Sequence, residues 1–282
     1  MKYVEKVNGA CVLHSPQHKM LAIMELRNPV VERLLQEVDT IAKMEACSKI
    51  FAMVPRWCAP RFVDHGFVVE ATIPDFYKGK VACCCVSKFL QSDRQPDEQT
   101  VACSKSVVMP RMEPAENDIG GELDFVCVEP NSAKEIIYDL GINNLEANNL
   151  AKDYSYSEYA QKKYYVLRTQ RENLGVAEVT ENSIWENAFI HRILVTENDQ
   201  DIDFSNMLHK LYGFLITKKV KTVYSYCNKD IAEAEKLYKN VGFKLAGRLR
   251  NHLIKNDEYS DLNIWYKTRK RSRKKVNLWS LR

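Results

Sequence analysis

Residues 222–267 read TVYSYCNKDIAEAEKLYKNVGFKLAGRLRNHLIKNDEYSDLNIWYK, and a fainter copy of their layout stands roughly 173 to 176 residues earlier in the chain. The helical faces carry the repeat most clearly. Val31, Leu34, Leu35, Val38, Ile41 and Ala42 are matched, at a constant displacement of 173, by Phe204, Met207, Leu208, Leu211, Phe214 and Leu215. Both sets keep the 3.6-residue period of a helix that buries one face. A short apolar strand follows each helix (49–54 and 222–227), then a second short helix, then Gly66-Phe67 echoed by Gly242-Phe243 at a displacement of 176. The second copy has gained three residues in its short helix. Two copies imply two related folding units.

At 282 residues, 45% hydrophobic and 28% charged, the chain has the make-up of an ordinary globular protein with enough length for two modest cores. No apolar run is long enough to span a bilayer, and MKYVEKVNGA at residues 1–10 lacks the apolar stretch of a signal peptide, so a cytoplasmic location is expected. Nine cysteines, an odd number, include the adjacent Cys83, Cys84 and Cys85. Neighbouring strand residues point to opposite faces, so these three cannot converge on one metal. With no CxxC pair and scattered histidines, buried thiols in a reducing compartment are expected and no metal site. The net charge of +4 arises in one place: KTRKRSRKK at 267–275 carries seven basic side chains, without which the rest stands at −3. Such a tail can attract nucleic acid or another anionic partner. The plainer expectation is a solvated extension.

The expected organisation is a partial first unit at 1–92, a linker at 93–121 rich in Pro, Ser, Gln and acids, a complete second unit at 122–267 and a basic tail at 268–282. In the first unit, runs 7–14 and 19–26 read as strands. Asn28 is a candidate cap and Pro29 a first helical residue for the helix that follows. Strands are expected at 49–54, 67–73 and 81–90, with a short helix over 57–64. The second unit reads βααβββαβαββ: a strand from about 123, helices at 132–140 and 145–161, strands at 164–169, 174–180 and 185–195, a helix at 203–218, a strand at 221–227, a helix at 230–241, and strands at 243–250 and 260–267. That order gives an α/β (α+β) fold with mixed sheets flanked by helices, in which a crossover helix makes one strand pair parallel.

The order, together with Asn228 and Ala-Glu-Lys-Leu-Tyr-Lys-Asn-Val-Gly-Phe at 234–243, resembles the GCN5-related N-acetyltransferase superfamily. More narrowly, EATIPDFYKG at 70–79, LNIWYK at 262–267 and Gly247-x-Leu249-x-Asn251 are similar to the β-lysine Nε-acetyltransferases. The resemblance implies tandem acetyltransferase-like units with the active site in the second, acetyl-CoA as acyl donor in a V-shaped opening between the unit's fourth and fifth strands, and a small amine, with β-lysine the first candidate, as acceptor.

On that resemblance, the backbones of Ile193, Leu194 and Val195 would hold the pantetheine amides, with Asn228 assisting. Gln200 and Ser205 would flank the pyrophosphate loop. Tyr238 occupies the position of the thiolate-protonating tyrosine, although the stripe Ile231, Ala234, Leu237, Tyr238 and Val241 also suits plain packing. Glu186, His191 and Glu178 are candidate bases for the amine proton. Glu70, Glu178, Asn251 and Asn263 are candidate contacts for a zwitterionic amine, because carboxylates hold ammonium groups and amides hold carboxylates. One departure matters. Where the superfamily loop carries glycine, this chain has Asp203, and Glu197, Asp199 and Asp201 add carboxylates nearby. Each pair at about 5 Å would cost roughly 1 to 3 kcal/mol against a bound polyanion. Asp203 can instead cap a helix beginning at Phe204. A second expectation therefore stands beside the enzyme: a degenerate acetyltransferase fold that serves as a binding or regulatory protein without normal acyl-CoA binding.

Overall fold

Asn8 and Gly9 both take left-handed backbone angles (φ 43° and 76°), and they break the run 7–14 into a hairpin of β1 (Tyr3–Val7) and β2 (Ala10–Ser15). Asn-Gly is the pair that a type I′ turn demands, which is why the expected strand at 7–14 starts only at Ala10 and a further strand precedes it. A computed structural model describes residues 3–27, 30–96, 124–141, 159–195, 204–228 and 232–269. The first half continues with β3 (Met20–Leu26), α1 (Val31–Met44), β4 (Lys49–Pro55), α2 (Ala59–Asp64), β5 (Val68–Tyr77) and β6 (Val81–Phe89). The second half comprises β7 (Asp124–Val128), α3 (Pro130–Asp139), β8 (Ala160–Arg168), β9 (Asn173–Asn182), β10 (Asn187–Val195), α4 (Phe204–Thr217), β11 (Thr222–Asn228), α5 (Ala232–Asn240), β12 (Lys244–Lys255) and β13 (Glu258–Thr268). The expected cap at Asn28-Pro29 and most of the expected helix at 145–161 lie outside the described residues. Ala160 and Gln161, its last two positions, open β8 instead.

Among the described residues, all thirteen strands join one mixed sheet, in the order β1-β2-β3-β4-β6-β5-β12-β13-β11-β10-β9-β8-β7. The centre of that order is a mirror of itself: β3-β4-β6-β5 meets β12-β13-β11-β10, its counterpart in the second copy. The two halves join where β5 and β12 run antiparallel, with Ala71 paired to Gly247. These residues are equivalent in the repeat, at the displacement of 176. Equivalent residues can pair across antiparallel strands only on a local twofold axis.

A second contact lies on the same axis. Tyr226 Oη is 3.5 Å from Met53 Sδ, and the two residues are 173 apart. Four strands separate β4 from β11 in the sheet, which would hold them about 24 Å apart if it were flat. The sheet therefore curls until the two halves touch across its inner face. Met20, Ala22, Phe51, Met53, Ile73, Phe189, Tyr224, Tyr226, Leu249 and Ile264 form one core there, drawn from both halves. The helices cover the outer face. Leu34, Leu35, Val38 and Phe62 pack on Leu21, Ile23, Ile50 and Ala52, and Met207, Leu208, Leu211 and Tyr238 pack on Ala188, Ile190 and Val223. Each such large apolar side chain, once buried, contributes about 1.5 to 3 kcal/mol. Cys84 faces the first-half helices while Cys83 and Cys85 face the shared core, as strand alternation requires.

Polar groups also stitch the junction. The Arg94 guanidinium, fully buried, donates to the carbonyls of His18, Lys19, Asn251 and His252 and to Ser48 Oγ, at 2.6 to 3.2 Å. Nearby, Lys49 Nζ donates to Glu70 Oε2 at 2.9 Å and to the Arg250 carbonyl at 2.6 Å. Burial pushes the Lys49 ammonium down to about 8, against the opposing pull of Glu70. Burial, aided by the Lys49 and Arg94 charges, keeps His252 well below its usual range and hence neutral near pH 7.

Candidate active site

The parallel pair β10–β11 holds register for only four positions, from Asn187↔Thr222 to Ile190↔Ser225. His191 is then an extra residue against β9, since Ile190 pairs with Val179 and Arg192 with Glu178. A bulge of this kind bends its strand and raises the local twist. Beyond it, Arg192–Val195 stays paired to β9, and β11 continues through Asn228 paired to β13. The two strands diverge. Between them opens a wedge whose walls are backbone edges that carry N–H and C=O groups. Ile193, Leu194 and Val195 sit on one wall of it and Asn228 ends the other, with its Oδ1 accepting from Ser260 Oγ at 3.3 Å.

Tyr238 reaches the base of this wedge from α5. Its hydroxyl donates to Ser225 Oγ at 2.8 Å, and Ser225 Oγ donates to the Ile190 carbonyl at 2.9 Å. The phenol chain thus ends on the last registered position of the pair. The ring stacks on Trp265 (5.7 Å between centroids, 6° between planes) and meets Phe204 and Phe243 edge-on. Burial raises the Tyr238 phenol well above its ordinary value, and the Ser225 hydrogen bond works in the opposite direction. His191 follows Ile190 directly. It is 4% exposed, shares a 2.6 Å hydrogen bond with Thr180 Oγ1 through Nε2, and stands edge-on to Phe189 at 4.5 Å. Tyr238 and His191 therefore adjoin the same point of divergence, on opposite faces of the sheet.

The other expected site residues make contacts of their own. Glu186 lies in the turn before β10, not in the strand, at the opposite end from the wedge, and its carboxylate is 4.0 Å from Lys221. Glu178 is clamped between Lys162 (2.7 Å) and Arg192 (2.6 Å). Burial alone would raise its carboxyl, but the Lys162 bond and the two cations prevail and hold it below its usual value. An anion already shared by two cations is poorly suited to take a proton from an amine. Glu70 accepts from Lys49, from Ser87 Oγ and from the Arg250 backbone N–H (2.7 Å), so both its oxygens serve the junction. Asn251 turns a bulge of β12 with φ 46°, receives Arg94 Nε on its carbonyl and donates Nδ2 to the Arg94 carbonyl. Asn263 is buried and its Oδ1 accepts from Arg248 Nε at 3.0 Å. Ser205 is the second residue of α4, half-buried.

Gln200, Asp203 and the other loop carboxylates lie outside the described residues, as does the basic tail from 270 onward. Lys267, the first cation of that run, belongs to β13: its Nζ donates to the Val241 carbonyl at 2.6 Å and lies over the Tyr212 ring at 4.1 Å. Among the described residues no cluster of His, Cys, Asp and Glu could hold a metal, and no helix is long and apolar enough to cross a membrane. Ser225 and Thr180, which hold Tyr238 and His191, are absent from the sequence expectations. The signal for Ser225 is in the repeat, where its counterpart at the displacement of 173 is Ala52.

Over an alignment of 286 residues, 95% of this chain and 99% of the relative, the sequence is 21% identical to a β-lysine N(6)-acetyltransferase of Methanococcus maripaludis. The chain resembles the GCN5-related N-acetyltransferases, in their β-lysine acetyltransferase branch. No family model matches it. Solved structures similar to it include Vibrio cholerae spermidine N-acetyltransferase in complex with CoA and spermine (18% identity, 52% of this chain, 95% of that chain, TM-score 0.42). Another is the Escherichia coli ribosomal-protein-S18-alanine N-acetyltransferase (16% identity, 55% of this chain, 99% of that chain, TM-score 0.39). Both halves of the repeat lie in one large mixed sheet flanked by helices.

Proposed function

We propose that the chain is an acetyl-CoA-dependent N-acetyltransferase that acts on the amine of a small amino acid, with β-lysine the first candidate. The observation that carries this reading is the wedge between β10 and β11 with the Tyr238 hydroxyl anchored at its base. The full-length likeness to a β-lysine acetyltransferase supports it. In this reading the backbone edge of Ile193, Leu194 and Val195 bonds the amides of the acyl donor's arm and sets its thioester at the point of divergence. Asn228 faces them from the other wall.

The acceptor enters from the face that carries His191. Attack of a neutral amine on the thioester carbonyl forms the C–N bond and breaks the C–S bond. The Tyr238 phenol gives its proton to the departing sulfur, and the nitrogen's surplus proton leaves toward His191 and solvent. The net transfer is one proton from amine to thiol. Glu70, Glu178, Asn251 and Asn263 are left out of this reading, because both Glu70 and Glu178 carboxylates, Asn251 Nδ2 and Asn263 Oδ1 already hold internal bonds.

The test is calorimetric titration with acetyl-CoA followed by a thiol-release assay with β-lysine and other primary amines. Binding together with amine-dependent thiol release is the expected result. Tyr238→Phe should lower kcat by roughly 10² to 10⁴ while acetyl-CoA affinity holds. No binding at millimolar acetyl-CoA would favour a degenerate fold that serves as a binding protein.

A further inference from the structure

The repeat supplies an internal comparison, because the first half builds the same wedge from different side chains. Its parallel pair β3–β4 also keeps register for four positions, from Met20↔Lys49 to Ile23↔Ala52. Its β3 also carries a bulge at the next residue, since Val12 pairs with Ile23 and Cys11 with Glu25, leaving Met24 as the extra one. Position for position, Met24 stands for His191, Ala52 for Ser225 and Phe62 for Tyr238. Phe62 meets Phe67 edge-on at 5.2 Å, as Tyr238 meets Phe243 at 5.5 Å.

The fold therefore obtains its bulge, its divergence and its aromatic pair without a hydroxyl at either place. Packing explains the ring of Tyr238. It does not explain the two hydroxyls, nor why they are bonded to each other at the base of the wedge in one half only. Both are buried, and each costs desolvation that Phe62 and Ala52 avoid.

We infer that Ser225 is a positioning residue for acetyl transfer: it holds the Tyr238 hydroxyl at the base of the β10–β11 wedge and becomes the hydrogen-bond donor to the Tyr238 oxygen once that oxygen has given up its proton. The inference rests on the acetyltransferase reading above. Before transfer, Ser225 Oγ accepts from Tyr238 and donates to the Ile190 carbonyl. When the phenol proton passes to the leaving sulfur, rotation about the Ser225 Cβ–Oγ bond turns its hydrogen from the Ile190 carbonyl to the phenolate. No atom is gained or lost at Ser225, and Tyr238 regains a proton from solvent, which receives the one that the amine sheds. The direction in which this bond moves the phenol, against the effect of burial, agrees with that role.

The first half also dictates the test, because Ala and Phe are the residues that this local structure accepts there. Thiol release from acetyl-CoA is measured for the full chain, Ser225→Ala, Ser225→Thr, Tyr238→Phe and the Ser225→Ala/Tyr238→Phe double variant, with β-lysine and a panel of primary amines. Ser225→Ala should lower kcat at least about tenfold with KM for acetyl-CoA within twofold, Ser225→Thr should recover most of the loss, and the double variant should be no slower than Tyr238→Phe alone. Equal kcat for Ser225→Ala and the unsubstituted chain, failure of threonine to rescue, or losses that multiply in the double variant would overturn the inference while the acetyltransferase reading stood. An unsubstituted chain that released no thiol with any amine would remove that reading and this one with it.

Discussion

Gly247 is the position at which a single methyl group should do most damage to the union of the two halves. It pairs with its own counterpart, Ala71, at the antiparallel β5–β12 seam. A Cβ on residue 247 would lie 2.3 Å from the Glu70 carbonyl oxygen, 2.6 Å from Ala71 Cα and 2.7 Å from Ala71 Cβ, with φ at 154°. Two of these atoms are backbone and cannot swing aside. Overpacking of this kind costs roughly 1 to 3 kcal/mol, and the backbone angle adds about 1 to 2. Gly247→Ala should therefore lose about 2 to 5 kcal/mol of stability, which for a chain of this size corresponds to a fall in Tm of roughly 5 to 20 °C. Scanning calorimetry measures it directly. The companion substitution Ala71→Gly removes one of the three close contacts and leaves the other two, so the double variant should recover less than half of the loss. A Gly247→Ala protein that melts within 2 °C of the unsubstituted chain, or is fully restored by Ala71→Gly, would refute the seam as described.

Two further outcomes follow from the polar interior. Arg94→Met takes the guanidinium away from the buried carbonyls of His18, Asn251 and His252, and should cost about 3 to 5 kcal/mol in a denaturant titration, whereas a loss below 1 kcal/mol would mean that water replaces the guanidinium. Glu178 titrates below its unfolded value, so its share of stability is complete above the unfolded carboxyl pKa and disappears as pH falls through the lower folded one. The Tm gap between the unsubstituted chain and Glu178→Gln should accordingly be widest near pH 7 and close toward pH 3, and a gap that ignores pH would contradict the ion-pair account.

The helices and the order of strands were legible because a buried face leaves a period, and two copies of that period confirm each other. Local turn chemistry explains the strands that the sequence reading merged or cut short. Asn8-Gly9 splits one run, and Asn256-Asp257, both with positive φ, lets β12 and β13 run on to a tight hairpin. The site was legible in part. Tyr238 stands out in the sequence by its place in the 234–243 run, but the bulge at His191 has no marker in composition or period. Glu70, Glu178 and Asn251 were chosen for what their side chains can bind, and what they do bind depends on partners up to 180 residues away, such as the Arg250 N–H on Glu70. Long-range pairing of this sort is invisible to any local reading.

The contact between Met53 and Tyr226 limits how the molecule could have lost parts over time. A duplicate joined only by a flexible connection can be discarded once its chemistry has gone. Here Phe51, Met53 and Ile73 of the first copy are half of the wall on which Phe189, Tyr224 and Tyr226 of the other copy lean. Deleting the first half would expose the surface directly beneath the wedge to water. The first half carries Met24, Ala52 and Phe62 where the second carries His191, Ser225 and Tyr238, and its framework serves as the back wall of its twin.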